Sequence, residues 1–311
     1  MADMPDRDID ALLQRIVSDI QPEFGKGKVA DYIPALAKVP PDKFGMAVCD
    51  ISGRTWTIGD ANEAFSIQSI SKLFTLLMAM ESFGADALWQ RVGREPSGTA
   101  FNSLVLLEAE GGIPRNPFIN AGALVVTDAI AAHSVSPVHQ LRTMARRLSG
   151  NSLVKIDERI ARSEAEHGHR NAAIAHFLKS QGNLYADVDD VLNMYFRQCA
   201  LAMSCVDLAR AFLPLANKGV MPETGEQVIP PLRVKRVNSL LLTCGLYDGV
   251  GNFAFRVGIP AKSGVGGGIV AIIPGQYSIC VWSPELDELG NSLVGTAALE
   301  CFTRDTQLSI F

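Results

Sequence analysis

Apolar positions recur at a helical period from Asp8 to Ile20, with Ile9, Leu12, Leu13, Ile16, Val17 and Ile20 on one face. The pattern then turns to strand. Phe44 to Ile51 is a short apolar run, Ser52-Gly53-Arg54 a turn, and Thr55-Trp56-Thr57-Ile58-Gly59 a second strand. From Ser69 to about Ser239 strand-like alternation is scarce. Helical spacing predicts helices over 120–132, 142–148, 156–163, 171–181, 188–197 and 205–216, separated by turns such as Gly111-Gly112-Ile113-Pro114 and Ser149-Gly150-Asn151. The last quarter returns to strand at 269–273 and 277–282 around Pro274-Gly275-Gln276. Asn291 is then expected to cap a final helix through about Phe302. Strands at both ends and helices between them predict an α+β fold. One antiparallel sheet is built from both termini (about 1–66 and 240–311), flanked by helices, with a large all-helical insertion (about 67–239), in a single domain over 1–311.

Composition narrows the class without changing the architecture. The 311 residues are 48% hydrophobic and 20% charged, with a net charge of −5, so neither nucleic acid nor an anionic membrane is expected as a partner. No apolar run is long enough to cross a bilayer, and the acidic N-terminus lacks the basic and apolar regions of a secretory signal. Six scattered cysteines, with no Cys-x-x-Cys pair, read as buried hydrophobes of a reducing compartment. His167-Gly168-His169 has no partner at a metal-motif spacing and reads as a solvated loop; no metal and no organic cofactor are expected.

Chemistry enters at Ser66-Ile67-Gln68-Ser69-Ile70-Ser71-Lys72, followed by the apolar run Leu73 to Met80. If a helix begins near Ser69, Ser69 and Lys72 share one face. A serine hydroxyl needs a base, and a lysine is a base only when burial keeps it neutral. The apolar run predicts that burial. Ser152-Leu153-Val154-Lys155 has the same spacing, but charged Asp157, Glu158 and Arg159 follow it, so its lysine is expected to be exposed and protonated. The Ser69 motif is the nucleophile arrangement of penicillin-recognising serine hydrolases. Lys262-Ser263-Gly264 resembles the strand that faces the nucleophile in those enzymes, with Lys262 supplying positive potential. The backbone N–H groups of Ser69 and Val265 could together hold an oxyanion. The Ser-Asp-Asn element of β-lactamases is absent.

Several longer motifs point further. Gln68-Ser69-Ile70-Ser71-Lys72, Asn116-Pro117-Phe118-Ile119-Asn120-Ala121-Gly122-Ala123, Ser163-Glu164 with Arg170-Asn171, Tyr195-Phe196-Arg197-Gln198-Cys199, Cys244-Gly245-Leu246-Tyr247-Asp248 and Pro260 to Gly267 together resemble the serine-dependent glutaminases. The resemblance runs from about Val29 to the C-terminal helix. It implies a β-lactamase-like fold, hydrolysis of L-glutamine to L-glutamate and ammonia, a cytoplasmic address, and a homodimer or homotetramer. By position it implies Ser69 as nucleophile, Lys72 as its base, Tyr32 and Tyr247 near the reacting amide, and Asn120, Glu164, Asn171, Tyr195, Tyr247 and Val265 as substrate contacts. Those residue types suit a zwitterion: a carboxylate for its ammonium, amide and phenol donors for its carboxylate. Taken singly each has a plainer role, Asn120 and Asn171 as helix caps, Glu164 as a solvated carboxylate, and Tyr195 and Tyr247 as half-buried aromatics. A lactam hydrolase or peptidase, and a non-catalytic glutamine sensor on the same fold, are the alternatives.

Overall fold

The computed structural model describes residues 8–98 and 100–311. Helix α1 (Ile9–Asp19) is capped by Asp8, whose carboxylate accepts from Ala11 N at 2.9 Å. Strands β1 (Lys28–Val29), β2 (Gly45–Asp50), β3 (Thr55–Gly59) and β4 (Phe65–Ser66) follow. Then come α2 (Ser71–Ala79), α3 (Ala85–Arg91), α4 (Leu104–Ala109), α5 (Asn120–Ala131) and α6 (Pro137–Ser149). After β5 (Lys155–Ile156) the chain forms α7 (Glu158–His167), α8 (His169–Ser180) and α9 (Val188–Cys199). After β6 (Leu201–Met203) it forms α10 (Cys205–Ala216), α11 (Pro231–Cys244) and α12 (Val250–Arg256). It closes with β7 (Ala261–Ser263), β8 (Gly268–Ile273), β9 (Tyr277–Trp282), β10 (Glu285–Leu286) and α13 (Leu293–Thr306).

The main sheet is antiparallel, in the order β3-β2-β9-β8-β7, so both ends of the chain do build it. Gly45 of β2 lies between Gly59 of β3 and Trp282 of β9. From Gly45 to Cys49 β2 is apolar because both its faces are covered, and only Asp50 at its end is charged. Met46 and Val48 enter a core with Leu13 and Ile16 of α1 and Leu299 and Phe302 of α13. Ala47 and Cys49 face the opposite way, into the larger core shared with α2, α5 and α10. Period-2 alternation survives in space while the sequence reads as one apolar run.

Three expectations are corrected. The middle of the chain is not all helical: β4, β6 and β5 form a small antiparallel sheet, too short in each strand to leave a period-2 signature. The final helix is capped by Ser292, whose Oγ accepts from Gly295 N at 3.1 Å. Asn291 is buried beside it and donates to Leu246 O at 3.4 Å. The helix expected over 142–148 starts earlier, with Pro137 in its first turn, where proline's missing N–H costs nothing.

One buried network carries the helices to the site. Arg91 pairs with Asp128 of α5 at 2.5 Å, and Asp128 accepts from Tyr185 N and Ala186 N. Asn183 Nδ2 donates to both Arg91 O and Gly112 O at 2.9 Å, closing the base of the segment between them. That segment returns to the site at Phe101, whose carbonyl accepts from Asn120 N at 2.8 Å.

Candidate active site

The small sheet aims the chain at Ser69. Ile67 N donates to Leu201 O at 2.9 Å, after which Gln68–Ile70 make a tight 3-10 turn and α2 begins at Ser71. Ser69 therefore lies in the turn before the helix, where a helix start at Ser69 was expected, and Lys72 lies in the first turn of α2. Gln68 holds φ +50°, a left-handed conformation uncommon for a residue with a side chain, and Tyr247 holds φ +53°. Backbone strain thus falls on both sides of Ser69. Gly264, past the end of β7, presses on the turn: a Cβ there would sit 2.5 Å from Ile67 O and 3.2 Å from Ser69 N.

Lys72 is 1% exposed, as the apolar run predicts. Its Nζ donates to Phe118 O at 3.0 Å and Asn120 Oδ1 at 2.8 Å. Burial pulls its pKa down to about 8, against the opposing pull of Cys199 and Glu164. Asn116 shapes the turn that offers Phe118 O, its Oδ1 accepting from Phe118 N and Ile119 N at 3.0 and 3.1 Å. Gly122 lets α5 start against that turn, since a Cβ there would fall 1.9 Å from Asn116 O. Asn120 does not cap α5, which is preceded by Ile119. Its Nδ2 instead donates to Asn171 Oδ1 at 2.9 Å, giving a continuous chain from Lys72 through Asn120 to Asn171.

A pocket of about 190 Å³ opens over Ser69. Tyr32, Asn120, Glu164, Asn171, Tyr195 and Val265 line it with Ser69. Glu164 is on α7 and buried, so the solvated-carboxylate reading is overturned. Burial raises its pKa to about 7, while Gln68 and the Lys72 charge pull the other way. Its Oε1 has no hydrogen-bond partner among the described residues. Tyr195 on α9 is buried and Lys72 Nζ stands 5.9 Å from its ring centroid. Tyr32 is 55% exposed on the loop after β1, yet its phenol pKa is pushed well up, first by desolvation and then by Glu164. Tyr32 nonetheless lines the pocket. The Val265 N–H makes no hydrogen bond among the described residues.

Lys72 and Tyr247 stand behind this lining. Tyr247 packs on Phe101 at 4.6 Å between centroids. Its hydroxyl lies beside those of Ser69 and Ser263 without closing a directional bond to either, and burial pushes its pKa up. Lys262 does not face the pocket as expected. It is fully buried, donates to Gly245 O at 3.0 Å and Ser263 O at 2.5 Å, and sits 4.6 Å from the Tyr247 ring centroid. Burial and the Lys72 charge hold its pKa well down. Lys262 supports Tyr247 from behind.

Gln68, Phe101, Arg170 and Cys199 are among the lining residues to which the sequence assigns no role. Gln68, beside the motif, donates from Nε2 to Ser66 Oγ at 3.0 Å and braces Glu164. Phe101 had no signal, since its stretch reads as loop. Arg170 sits next to Asn171, and its Nε donates to Asn102 O at 3.0 Å. His167-Gly168-His169 is no loop but the break between α7 and α8, and His167 and Gly168 reach the pocket rim. The competing Ser152 and Lys155 are both exposed, with Lys155 in β5, far from the helix start that motif needs.

The antiparallel sheet, the helical layers and this pocket define an enzyme of the β-lactamase-like fold class. The chain belongs to the glutaminase family: the family's sequence model, described as Glutaminase, matches residues 27–311. The glutaminase of Aeromonas salmonicida is 57% identical over 300 residues, 96% of this chain and 98% of that protein. The glutaminase of Shewanella loihica is 56% identical over 308 residues, 99% of this chain and 100% of that protein. A solved structure, the probable glutaminase from Bacillus subtilis complexed with 6-diazo-5-oxo-L-norleucine, matches at a TM-score of 0.87 and 36% identity, covering 100% of both chains. The enzyme hydrolyses L-glutamine to L-glutamate and ammonia.

Proposed function

We propose that hydrolysis runs through an acyl-enzyme on Ser69, with Lys72 as the activating base. The observation that carries this reading is the setting of Lys72. A neutral amine has two hydrogens and one lone pair. Phe118 O and Asn120 Oδ1 take the two hydrogens, which leaves the lone pair for the Ser69 proton. Ser69 Oγ attacks the side-chain amide carbon, and the oxyanion settles on the N–H groups of Ser69 and Val265. Tyr247 is the proton carrier to the leaving nitrogen: its raised pKa keeps it a phenol, and its buried hydroxyl has no partner of its own. Lys72 returns the proton to Tyr247, the C–N bond breaks and ammonia leaves. Water then attacks the glutamyl ester, Lys72 takes its proton, and Ser69 is released.

Glu164 takes the substrate ammonium through its unpartnered oxygen, and Asn120, Asn171, Tyr195 and Tyr32 orient the other end. The chain Lys72–Asn120–Asn171 ties base and substrate holder together, so bound substrate and aligned base come as one arrangement. The 190 Å³ pocket suits one free amino acid. An ammonia-release assay with glutamine and asparagine tests this. Asparagine is one methylene shorter and its amide falls short of Ser69, so its kcat/KM is expected to be at least tenfold lower. Equal rates would place the substrate elsewhere.

The protein is also proposed to be a cytoplasmic homodimer or homotetramer. Six free, buried cysteines accord with a reducing compartment. Val105, Phe255 and Phe311 expose 76, 91 and 84% of their surface, apolar area that suits a second copy. Sedimentation equilibrium is expected to give a multiple of the 33.5 kDa chain mass; a monomer at micromolar concentration would remove the oligomer.

A further inference from the structure

A second cavity, of about 290 Å³, lies in the groove between α3 with its following residues and α11. Trp89 and Leu240 give it an apolar floor, and Arg94, Lys235 and Arg236 stand around it. The Arg94 guanidinium is 5.9 Å from the Trp89 ring centroid. None of the three cations forms an ion pair among the described residues, although arginines elsewhere on this surface commonly do. An acid does stand nearby: the exposed Glu95 follows Arg94 in the chain and acts on Cys244 at the end of α11.

The helix itself is unusual. α11 carries Arg233, Lys235 and Arg236 in its first two turns and no carboxylate anywhere, in a chain of net charge −5. Cations at a helix N-terminus oppose the macrodipole, and like charges this close repel. The hydroxyls of Ser239 and Thr243 donate back to Lys235 O and Ser239 O, so they offer a ligand no donors. What the groove lacks is an anion.

We propose that this groove binds a nucleoside phosphate, the flat base against Trp89 and the phosphate among Arg94, Lys235 and Arg236. A phosphate monoester, at about −1.5 to −2 charges, matches three cations better than a single carboxylate does. The cavity has room for one small ligand, not for a polymer. Both walls lead to the active site. Arg94 precedes the segment that delivers Phe101 to the pocket, and α11 ends three residues before Tyr247. A ligand that bridges the walls therefore biases both flanks of Ser69. This coupling rests on the glutaminase mechanism above; the binding does not.

Quenching of Trp89 fluorescence tests the site with AMP, adenosine and inorganic phosphate as probes, in the full chain. AMP is expected to quench the wild-type protein, with adenosine and phosphate each at least tenfold weaker. The quench should disappear in Trp89→Phe, and the triple variant R94Q/K235Q/R236Q should weaken AMP at least tenfold. Ammonia release from glutamine reports that these variants are folded. No AMP binding at millimolar concentration, unchanged affinity in the triple variant, or phosphate binding as tightly as AMP would each overturn the site. With AMP bound, KM or kcat for glutamine should move at least twofold. Unmoved kinetics would overturn the coupling and leave the site standing, whereas absent ammonia release without AMP would strike the glutaminase mechanism instead.

Discussion

Ser69→Ala is expected to leave a folded protein whose ammonia release from glutamine falls by about 10⁴-fold or more, the scale of losing a serine nucleophile. The fold should survive because the Ser69 hydroxyl faces the pocket and supports no other element. The Tyr247 hydroxyl lies beside it without closing a directional bond, so the change in stability should stay within about 1 kcal/mol. A thermal melt and an ammonia assay on the same sample separate the two effects. Ser152→Ala, at the exposed copy of the motif, should retain full activity. An active Ser69→Ala enzyme, or a dead Ser152→Ala one, would show that the nucleophile lies elsewhere.

Lys72→Met is expected to lower kcat by about 10³-fold, within the range of losing a general base. The pH profile carries the more specific expectation. In the free enzyme Glu164 must lose its proton near pH 7 to take the substrate ammonium, and Lys72 must lose its own near pH 8 to act as base. Both steps favour alkaline pH, so log kcat/KM should climb with a slope near two below pH 7, near one between 7 and 8, then level off. Substrate bound to Glu164 holds it ionised, so kcat should keep only the step near pH 8. Lys72→Met should erase that step from kcat while the step near 7 persists in kcat/KM. A kcat profile that is flat from pH 6 to 9 would exclude Lys72 as the titrating base.

The site was legible where chemistry and local pattern coincide. Ser69 and Lys72 share a motif, and the apolar residues after them announce the burial of Lys72, on which its proposed role as base rests. Asn120, Glu164, Asn171, Tyr195 and Val265 became legible only through longer motifs, because each taken alone has a commoner role. What stayed hidden depends on the folded chain. Gln68 adopts a left-handed turn that its residue type disfavours. Phe101 reaches the site on a segment whose base Asn183 closes from a distant position and whose tip Asn120 and Tyr247 hold. Lys262 is expected on a strand facing the nucleophile, but the β7–β8 pairing and its bond to Gly245 O turn it inward under Tyr247. The fold was legible at its ends, where six-residue strands carry a signal. The two- and three-residue strands β4, β5 and β6 carry none, although they set the angle at which the chain meets Ser69.

The order of the main sheet bears on how a ribosome makes this protein. β2 needs β9 as its neighbour, yet roughly 230 residues separate them in the chain. At about 5–20 residues per second, the hairpin of β2 and β3 waits on the order of 10–40 s for its partner to be synthesised. During that time the β2 edge, apolar on both faces, is open to pairing with another chain. The helices between can pack as they emerge, but the turn bearing Ser69 is squeezed into place only when Gly264 arrives against it. The nascent chain is therefore expected to hold the turn of its proposed nucleophile unformed until nearly the whole protein has left the ribosome.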